Sequence, residues 1–222
     1  MLKQERKINP TWRSVSGQIS FRGEAVPYES TLERDFLVYQ SFRKDVIDIV
    51  AQPIVIPFRK NGRTYHYTPD FFVQVKMHRG ISGYDDRSML VEVKPQEEWK
   101  KHWRDWSIKW KAAMQWCKER DFRFAIYDEG RIRHLALENI QFLARYKNLA
   151  VDEREVAAIL QQIELMGNTT VEYLLERFFK GYIYRPRGHQ IIWHLMARQK
   201  IGFDVWSDIK NEATEVWHEP TK

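Results

Sequence analysis

Strand-forming runs in the first half of the chain constrain its fold most strongly. Residues 53–76 alternate apolar and polar side chains with period two, and Asn61-Gly62 lies in the middle of this run. Because both turn residues tolerate positive φ, this dipeptide favours a tight hairpin. Residues 71–75 (FFVQV) and 89–93 (MLVEV) are more continuously apolar. The pattern predicts neighbouring strands of a buried sheet.

The segments around these strands complete an α-β-β-β-α-β order. Residues 29–45 have helical periodicity, and Ser30 with Glu33 matches the S-x-x-E capping pattern. Residues 97–121 predict a long helix whose apolar stripe we interpret as packing on the sheet, with the lysines and arginines of its other faces solvated. Residues 122–130 predict a further strand. The stripe consists of Trp99, Trp103, Trp106, Trp110, Ala113 and Cys117.

Composition narrows the class of protein without identifying it. Lys and Arg number 36 and Asp and Glu 30, so the net charge is +6, which permits a polyanionic partner without proving one. The single cysteine, Cys117, excludes an internal disulfide, as expected in a reducing compartment. Without an apolar leader or a run of about 20 apolar residues, we expect a cytoplasmic protein with no membrane partner.

The two ends of the chain predict separate regions. Residues 1–28 are expected to form an irregular basic arm, either a flexible tail or a segment along DNA, which we separate from a domain over 29–148. Residues 149–222 predict three helices and then two short strands, the order of a winged helix. The cations of the arm are Arg6, Lys7, Arg13 and Arg22.

Charged side chains on the predicted strands are the candidate functional residues. Glu92 and Lys94 are two residues apart, so they point to the same face of a strand. Carboxylates converging with Asp70 at one sheet edge would be costly to bury without a cation, and oxygen ligands select Mg²⁺ or Mn²⁺. Ordinary alternatives stay open: Glu33 as a capping residue, Asp70 as a turn residue, and Glu92 with Lys94 as an exposed ladder.

These segments resemble a known family. TPD at 68–70 and VEVKP at 91–95, in this order of elements, are similar to the PD-(D/E)xK restriction-endonuclease-like superfamily. Within it, STLERDFLVYQSF, YTPDFFVQV, LVEVKP and RFAIYDE resemble TnsA, the endonuclease subunit of heteromeric cut-and-paste transposons. The resemblance implies a restriction-endonuclease-like αβββαβ core followed by a winged-helix-like domain.

The resemblance also implies roles for individual residues. Glu33 matches the helical acid of the family, with Glu29 as a rival, and Asp70 matches the central metal ligand. Glu92 matches the second acid and Lys94 the catalytic lysine. The implied cofactor is Mg²⁺, for which Mn²⁺ can substitute. Its implied ligands are Asp70, Glu92, the Val93 carbonyl and Glu33.

The function implied by the resemblance is cleavage of the 5′ strands at transposon ends in double-stranded DNA. A partner transposase, TnsB, would cut and join the 3′ ends, and an AAA+ regulator, TnsC, would dock on the C-terminal domain. Two alternatives remain: another nuclease of the superfamily, for restriction or repair, and a DNA-binding adaptor without catalytic activity.

Cations in the C-terminal region are candidate contacts to DNA or to the regulator. Arg185, Arg187 and His189 lie before or at the start of a predicted helix, whose free N–H groups favour anions. Arg198 and Lys200 lie at its end, where they also offset the helix dipole. Trp193 and His194 are expected to face partly outward as further contact residues.

Overall fold

A computed structural model describes residues 2–5, 15–76 and 87–219 of the chain. The chain divides into two compact units, Met1–Arg133 and His134–Lys222, so the division falls earlier than the boundary expected after residue 148. The predictions made for Arg6, Lys7 and Arg13 lie outside the described residues.

The first unit contains mixed α and β structure, as predicted. Its strands are β1 (Gly17–Phe21), β2 (Glu24–Tyr28), β3 (Val46–Ala51), β4 (Ile56–Lys60), β5 (Arg63–Tyr67), β6 (Phe71–Val75), β7 (Met89–Val93) and β8 (Arg123–Tyr127). Its helices are α1 (Thr31–Phe42), α2 (Gln96–Lys101), α3 (Trp103–Lys118) and α4 (Glu129–Ile132).

A four-stranded sheet in the order β3-β6-β7-β8 forms the centre of this unit. The pairs β3–β6 and β6–β7 are antiparallel, whereas β7–β8 is parallel. Successive side chains of a strand point to opposite faces, so each face is covered separately. On one face Phe36 of α1 stacks on Phe71 at 5.4 Å between ring centroids. On the other, Trp110 of α3 belongs to a buried cluster with Phe72 and Leu90.

Three expectations for this unit need correction. Residues 17–28 form the β1–β2 hairpin, not an irregular arm. Its turn places Arg22 and Gly23 at φ 52° and 92°. The turn was not predicted because arginine is not one of the residues typical of its first position. The sheet's first strand is β3, while the predicted strand near Ile56 pairs with β5 in a separate two-stranded hairpin. The helix expected over 97–121 is interrupted at His102, although the His102 N–H still donates to the Glu98 carbonyl.

The Asn61-Gly62 hairpin and the tryptophan stripe are confirmed, the second only in part. Asn61 and Gly62 have φ 52° and 75° at the turn between β4 and β5. In the stripe, Trp110 is fully buried, but Trp103 is 49% exposed. The apolar stripe of α3 therefore packs on the sheet mainly through its second half.

The second unit combines helices with a small antiparallel sheet. Its elements are α5 (Leu135–Ala144), α6 (Glu153–Met166), β9 (Asn168–Thr170), α7 (Val171–Phe178), α8 (Arg185–Ala197), β10 (Ile201–Phe203) and β11 (Glu215–His218). The sheet has the order β10-β11-β9. The strands β10 and β11 were predicted, and β9, which lies between α6 and α7, is an additional third strand. Sequence periodicity missed β9 because it is only three residues long. None of the helices described is long and apolar enough to span a membrane.

Candidate active site at the edge of the central sheet

Asp70 and Glu92 lie at adjacent positions of neighbouring strands. Antiparallel pairing of Phe71 with Val91 places Asp70, the residue before β6, beside Glu92 in β7. The Val93 N–H donates to Asp70 Oδ2 at 2.7 Å, which fixes this carboxylate against β7. The structure therefore brings the two predicted acids of the motif to one edge of the sheet. This edge is the one formed by the start of β6 and the end of β7.

Glu92 is a buried carboxylate with a partner on each oxygen. The residue is only 1% exposed. The Tyr67 hydroxyl donates to Glu92 Oε2 at 2.6 Å, and the Lys109 ammonium donates to Oε1 at 2.9 Å. These two donors provide the compensation that a buried charge requires. The exposed-ladder interpretation of Glu92 is therefore wrong.

Lys94 lies close to Asp70 without forming a hydrogen bond to it. The two charged atoms, Lys94 Nζ and Asp70 Oδ2, are 3.9 Å apart. The Lys94 N–H donates to the Tyr127 carbonyl at 3.0 Å, so the backbone of this residue is anchored to β8. Burial alone would lower the pKa of Lys94, but the carboxylates of Asp70, Glu92 and Glu33 outweigh it and raise that pKa. The ammonium therefore remains charged.

Glu33 has the role of a helix-capping residue. Its carboxylate accepts the Glu29 N–H at 2.8 Å and the Ser30 hydroxyl at 3.0 Å, and the Glu33 N–H donates to Ser30 Oγ at 3.1 Å. This reciprocal pair is the capping box that the sequence predicted. Burial raises the pKa of Glu33, and its charge acts on both Asp70 and Lys94. Its rival Glu29 accepts a 3.3 Å hydrogen bond from Gln52.

Burial and a neighbouring carboxylate make Asp70 hard to ionise. Burial first, and then the neighbouring carboxylate of Glu92, raise the pKa of Asp70 well above its usual value, while Lys94 opposes this rise. The ionised form of Asp70 is therefore disfavoured first by loss of solvent and second by repulsion from Glu92.

The raised pKa of Asp70 predicts a pH dependence of stability in protein freed of divalent metal. Because folded Asp70 holds its proton to higher pH than unfolded Asp70, the free energy of unfolding should fall as pH rises from about 4 through the raised pKa. The fall amounts to about 1.4 kcal/mol for each pH unit that separates the two pKa values. Asp70→Asn should remove the decrease in the free energy of unfolding that Asp70 causes. The smaller decrease caused by Glu33, whose pKa is also raised, should remain. Urea unfolding in EDTA across this pH range measures both proteins; parallel curves would contradict the prediction.

Sequence analysis missed Lys109 and Tyr67, the two partners of Glu92. Lys109 was grouped with the solvated cations of its helix, but its side chain is only 19% exposed. One signal was available: Lys109 lies directly beside Trp110 and three residues after Trp106, at the border of the apolar stripe. Tyr67 closes β5, whose hairpin packs on α3. A buried Glu92 requires a positively charged partner. A lysine at the border of the apolar stripe, such as Lys109, is a candidate for that partner.

The carboxylates do not form a complete metal-binding group by themselves. Within residues 2–5, 15–76 and 87–219, no three side chains of the types His, Cys, Asp or Glu are grouped closely enough to hold an ion. The Glu33 carboxylate accepts two hydrogen bonds in its capping box. Asp70 and Glu92 are the two carboxylates that neighbouring strands bring side by side here.

The cations predicted for partner contact are held within the second unit. Arg185 forms ion pairs with Glu176 and Glu212. Arg187 pairs with Glu155 at 2.8 Å, and His189 Nε2 lies 3.0 Å from Glu212.

By contrast, Arg198 and Lys200 at the end of α8 are exposed. Trp193 and His194 are half-buried, in agreement with the partly outward position expected of them, but each also contacts another segment. Trp193 packs edge-on against Phe142 of α5 at 4.9 Å, and His194 Nδ1 lies 2.8 Å from the Tyr146 carbonyl. Both side chains therefore connect α8 to the α5 region.

A sheet with acids and a lysine at one edge, covered by helices on both faces, is consistent with a nuclease-like fold. Family comparison agrees: a model described as the TnsA-like endonuclease N-terminal domain matches residues 43–129. A second, described as the TnsA endonuclease C-terminal domain, matches residues 131–205. The chain belongs to the TnsA endonuclease family, which confirms the resemblance and indicates a nuclease associated with transposition. Comparison with proteins of curated function gives no match.

Proposed function

We propose that the chain is a Mg²⁺-dependent DNA endonuclease that cuts the 5′ strands at transposon ends alongside a partner transposase. The observation that supports this most is the placement of Asp70, Glu92 and Lys94 at one sheet edge, in a chain of the TnsA endonuclease family. A DNA-binding adaptor would have no use for a buried Glu92 and a half-buried Asp70 beside a charged lysine.

The residues at this edge fit a divalent cation. Burial and like charge raise the pKa of Asp70, so an added cation would relieve a repulsion that the protein leaves in place. Asp70, Glu92 and the Val93 carbonyl would hold the ion, because such oxygen ligands suit Mg²⁺ and Mn²⁺. Glu33 would act directly or through water. When bound, the ion polarises the scissile phosphodiester and lowers the pKa of the attacking water.

The chain's own residues have separable tasks in this reaction. The Val93 N–H orients Asp70, and Tyr67 with Lys109 orients Glu92. Lys94 is charged and makes no hydrogen bond to Asp70 at 3.9 Å, so its ammonium is available to the phosphate as negative charge develops there. Of the two half-buried lysines, Lys94 is the catalytic residue in this proposal.

The proposal is tested by reconstituting cleavage with duplex DNA that carries a transposon end, together with the partner transposase TnsB and the AAA+ regulator TnsC. We expect cleavage in Mg²⁺ or Mn²⁺ and none in EDTA. Cleavage that persists in EDTA, or that stays absent with all partners and Mg²⁺ present, would contradict it.

The finer fold assignment is also a proposal. The elements α1, β3, β6, β7, α3 and β8 follow the αβββαβ order of a restriction-endonuclease-like core. In the second unit, α6, β9, α7, α8, β10 and β11 follow the order of a winged helix, in which α8 would be the recognition helix.

We further propose that the second unit contacts DNA or an acidic surface of the regulator through α8 and its ends. Arg198 and Lys200 are exposed and available to phosphate. Arg185, Arg187 and His189 would first have to leave Glu176, Glu155 and Glu212, so their contribution is expected to be smaller.

Salt dependence of DNA binding measures these contacts. Each lost phosphate contact should reduce the log–log slope by about 0.9, so Arg198→Ala with Lys200→Ala should reduce it by about 2. Arg185→Ala with Arg187→Ala provides the comparison, with a smaller change expected. If neither double variant alters the slope, the second unit makes no phosphate contacts through these residues.

A further inference from the structure

Glu92 is paired to a lysine that the TnsA sequence motif does not include. Lys109 projects from α3 and donates to Glu92 Oε1 at 2.9 Å, while Tyr67 donates to the other oxygen at 2.6 Å. Glu92 is only 1% exposed, and the Lys109 side chain is 19% exposed, so the carboxylate of this ion pair is removed from water and the ammonium is half-buried. Groups of the protein itself therefore hold the Glu92 carboxylate in place.

Aromatic rings fix the Lys109 ammonium in this position. Its Nζ lies 4.6 Å from the ring centroid of Tyr67, 4.9 Å from that of Trp106 and 5.8 Å from that of Trp110. Each ring face attracts a cation, more strongly where water is excluded. The protein thus replaces the hydration of this ammonium by three rings and one carboxylate.

The two lysines at this edge are held differently. Lys94 lies 3.9 Å from Asp70 with no hydrogen bond, whereas Lys109 is bonded directly to Glu92 and surrounded by rings. A divalent ion on Glu92 would share its carboxylate with the Lys109 ammonium, and two cations on one buried carboxylate repel each other strongly.

We propose that Lys109 is a positioning residue that neutralises Glu92 before metal binds and opposes the metal electrostatically when it arrives. This inference rests on the proposed metal-dependent function. If Lys109 acts in this way, the chain without DNA has a low affinity for metal. The Glu92 carboxylate is nevertheless already held in the position in which it would bind the ion. Removing the charge of Lys109 should therefore strengthen metal binding, whereas loss of a purely structural contact would leave it unchanged or weaken it.

The test is titration of the metal-free full chain with Mn²⁺, following free Mn²⁺ by electron paramagnetic resonance. We expect Lys109→Met to bind Mn²⁺ roughly tenfold to a hundredfold more tightly than the wild type. Lys111→Met removes the same charge from an exposed position of the same helix and should bind as the wild type does. Tyr67→Phe removes the neutral partner of Glu92 and should not tighten binding.

Thermal unfolding gives a second readout. Without metal, Lys109→Met should have a lower Tm than the wild type, because Glu92 loses its counter-charge. Mn²⁺ should raise the Tm of this variant more than that of the wild type, since a ligand stabilises according to its affinity. If Lys109→Met does not fold, Lys109→Gln removes the charge more conservatively, and Lys109→Arg retains it and should keep wild-type affinity.

Asp70→Ala separates failure of the inference from failure of the proposed function. Mn²⁺ binding that depends on Asp70 but is equal or weaker in Lys109→Met and Lys109→Gln would overturn the role of Lys109 alone. Absence of Asp70-dependent binding in every variant would overturn the metal-dependent function, and the inference with it.

Discussion

Replacing Asp70 by alanine is expected to reduce the rate of DNA cleavage by at least about three orders of magnitude. Asp70 is fixed against β7 by the Val93 N–H and lies beside Glu92, so no neighbouring side chain can move in to replace its carboxylate without breaking this arrangement. Among the carboxylates that raise the pKa of Lys94, Asp70 has the largest effect, and the substitution removes it. Fold and DNA affinity should be preserved, because the side chain is at the sheet edge and 17% exposed.

Single-turnover cleavage of an end-labelled duplex measures this effect, with circular dichroism and a gel-shift assay to check folding and binding. Asp105→Ala provides the control, since it removes the same group from a side chain of α3 that is 71% exposed. Cleavage by Asp70→Ala within about tenfold of the wild type would remove Asp70 from the active site.

Lys94→Ala is expected to lower the cleavage rate by about two to four orders of magnitude with little loss of DNA affinity. The Lys94 ammonium is kept charged by three surrounding carboxylates and is anchored through its backbone to β8. A group that acts only on charge developing in the transition state affects the rate and not the binding of substrate.

Comparison of kcat with DNA affinity decides between two roles for Lys94. Lys101→Ala, at an exposed position of α2, serves as the control for general loss of positive charge. A Lys94→Ala protein that binds DNA poorly but cuts at the normal rate once bound would make Lys94 a DNA-positioning residue.

The acids of the motif could be predicted from sequence because their placement follows local rules. Side-chain alternation puts Glu92 and Lys94 on one face, and antiparallel pairing of two short apolar strands brings Asp70 beside Glu92. Glu33 shows the limit of such rules: the same residue satisfies both a capping pattern and a motif position. Its hydrogen bonds to Glu29 and Ser30 establish the capping role, and its role in the motif stays a prediction.

Contacts between distant segments could not be predicted in this way. Helical periodicity placed Lys109 outside the core stripe, but its partners Glu92 and Tyr67 come from two strands whose packing against α3 has no local signature. In the second unit, Arg185 looked free for phosphate, yet Glu176 and Glu212 from other segments pair with it. Long-range charge pairing depends on the tertiary fold.

Strand-specific mapping of cleavage in the complete reaction tests the central claim most directly. Each strand of a transposon-end duplex is labelled separately and incubated with the partner transposase, the regulator, Mg²⁺ and either the wild type or Asp70→Ala. We predict that the wild type cuts the 5′ strand, and that Asp70→Ala loses this cut while the 3′ cut by the transposase persists. A 5′ cut that persists with Asp70→Ala would contradict it.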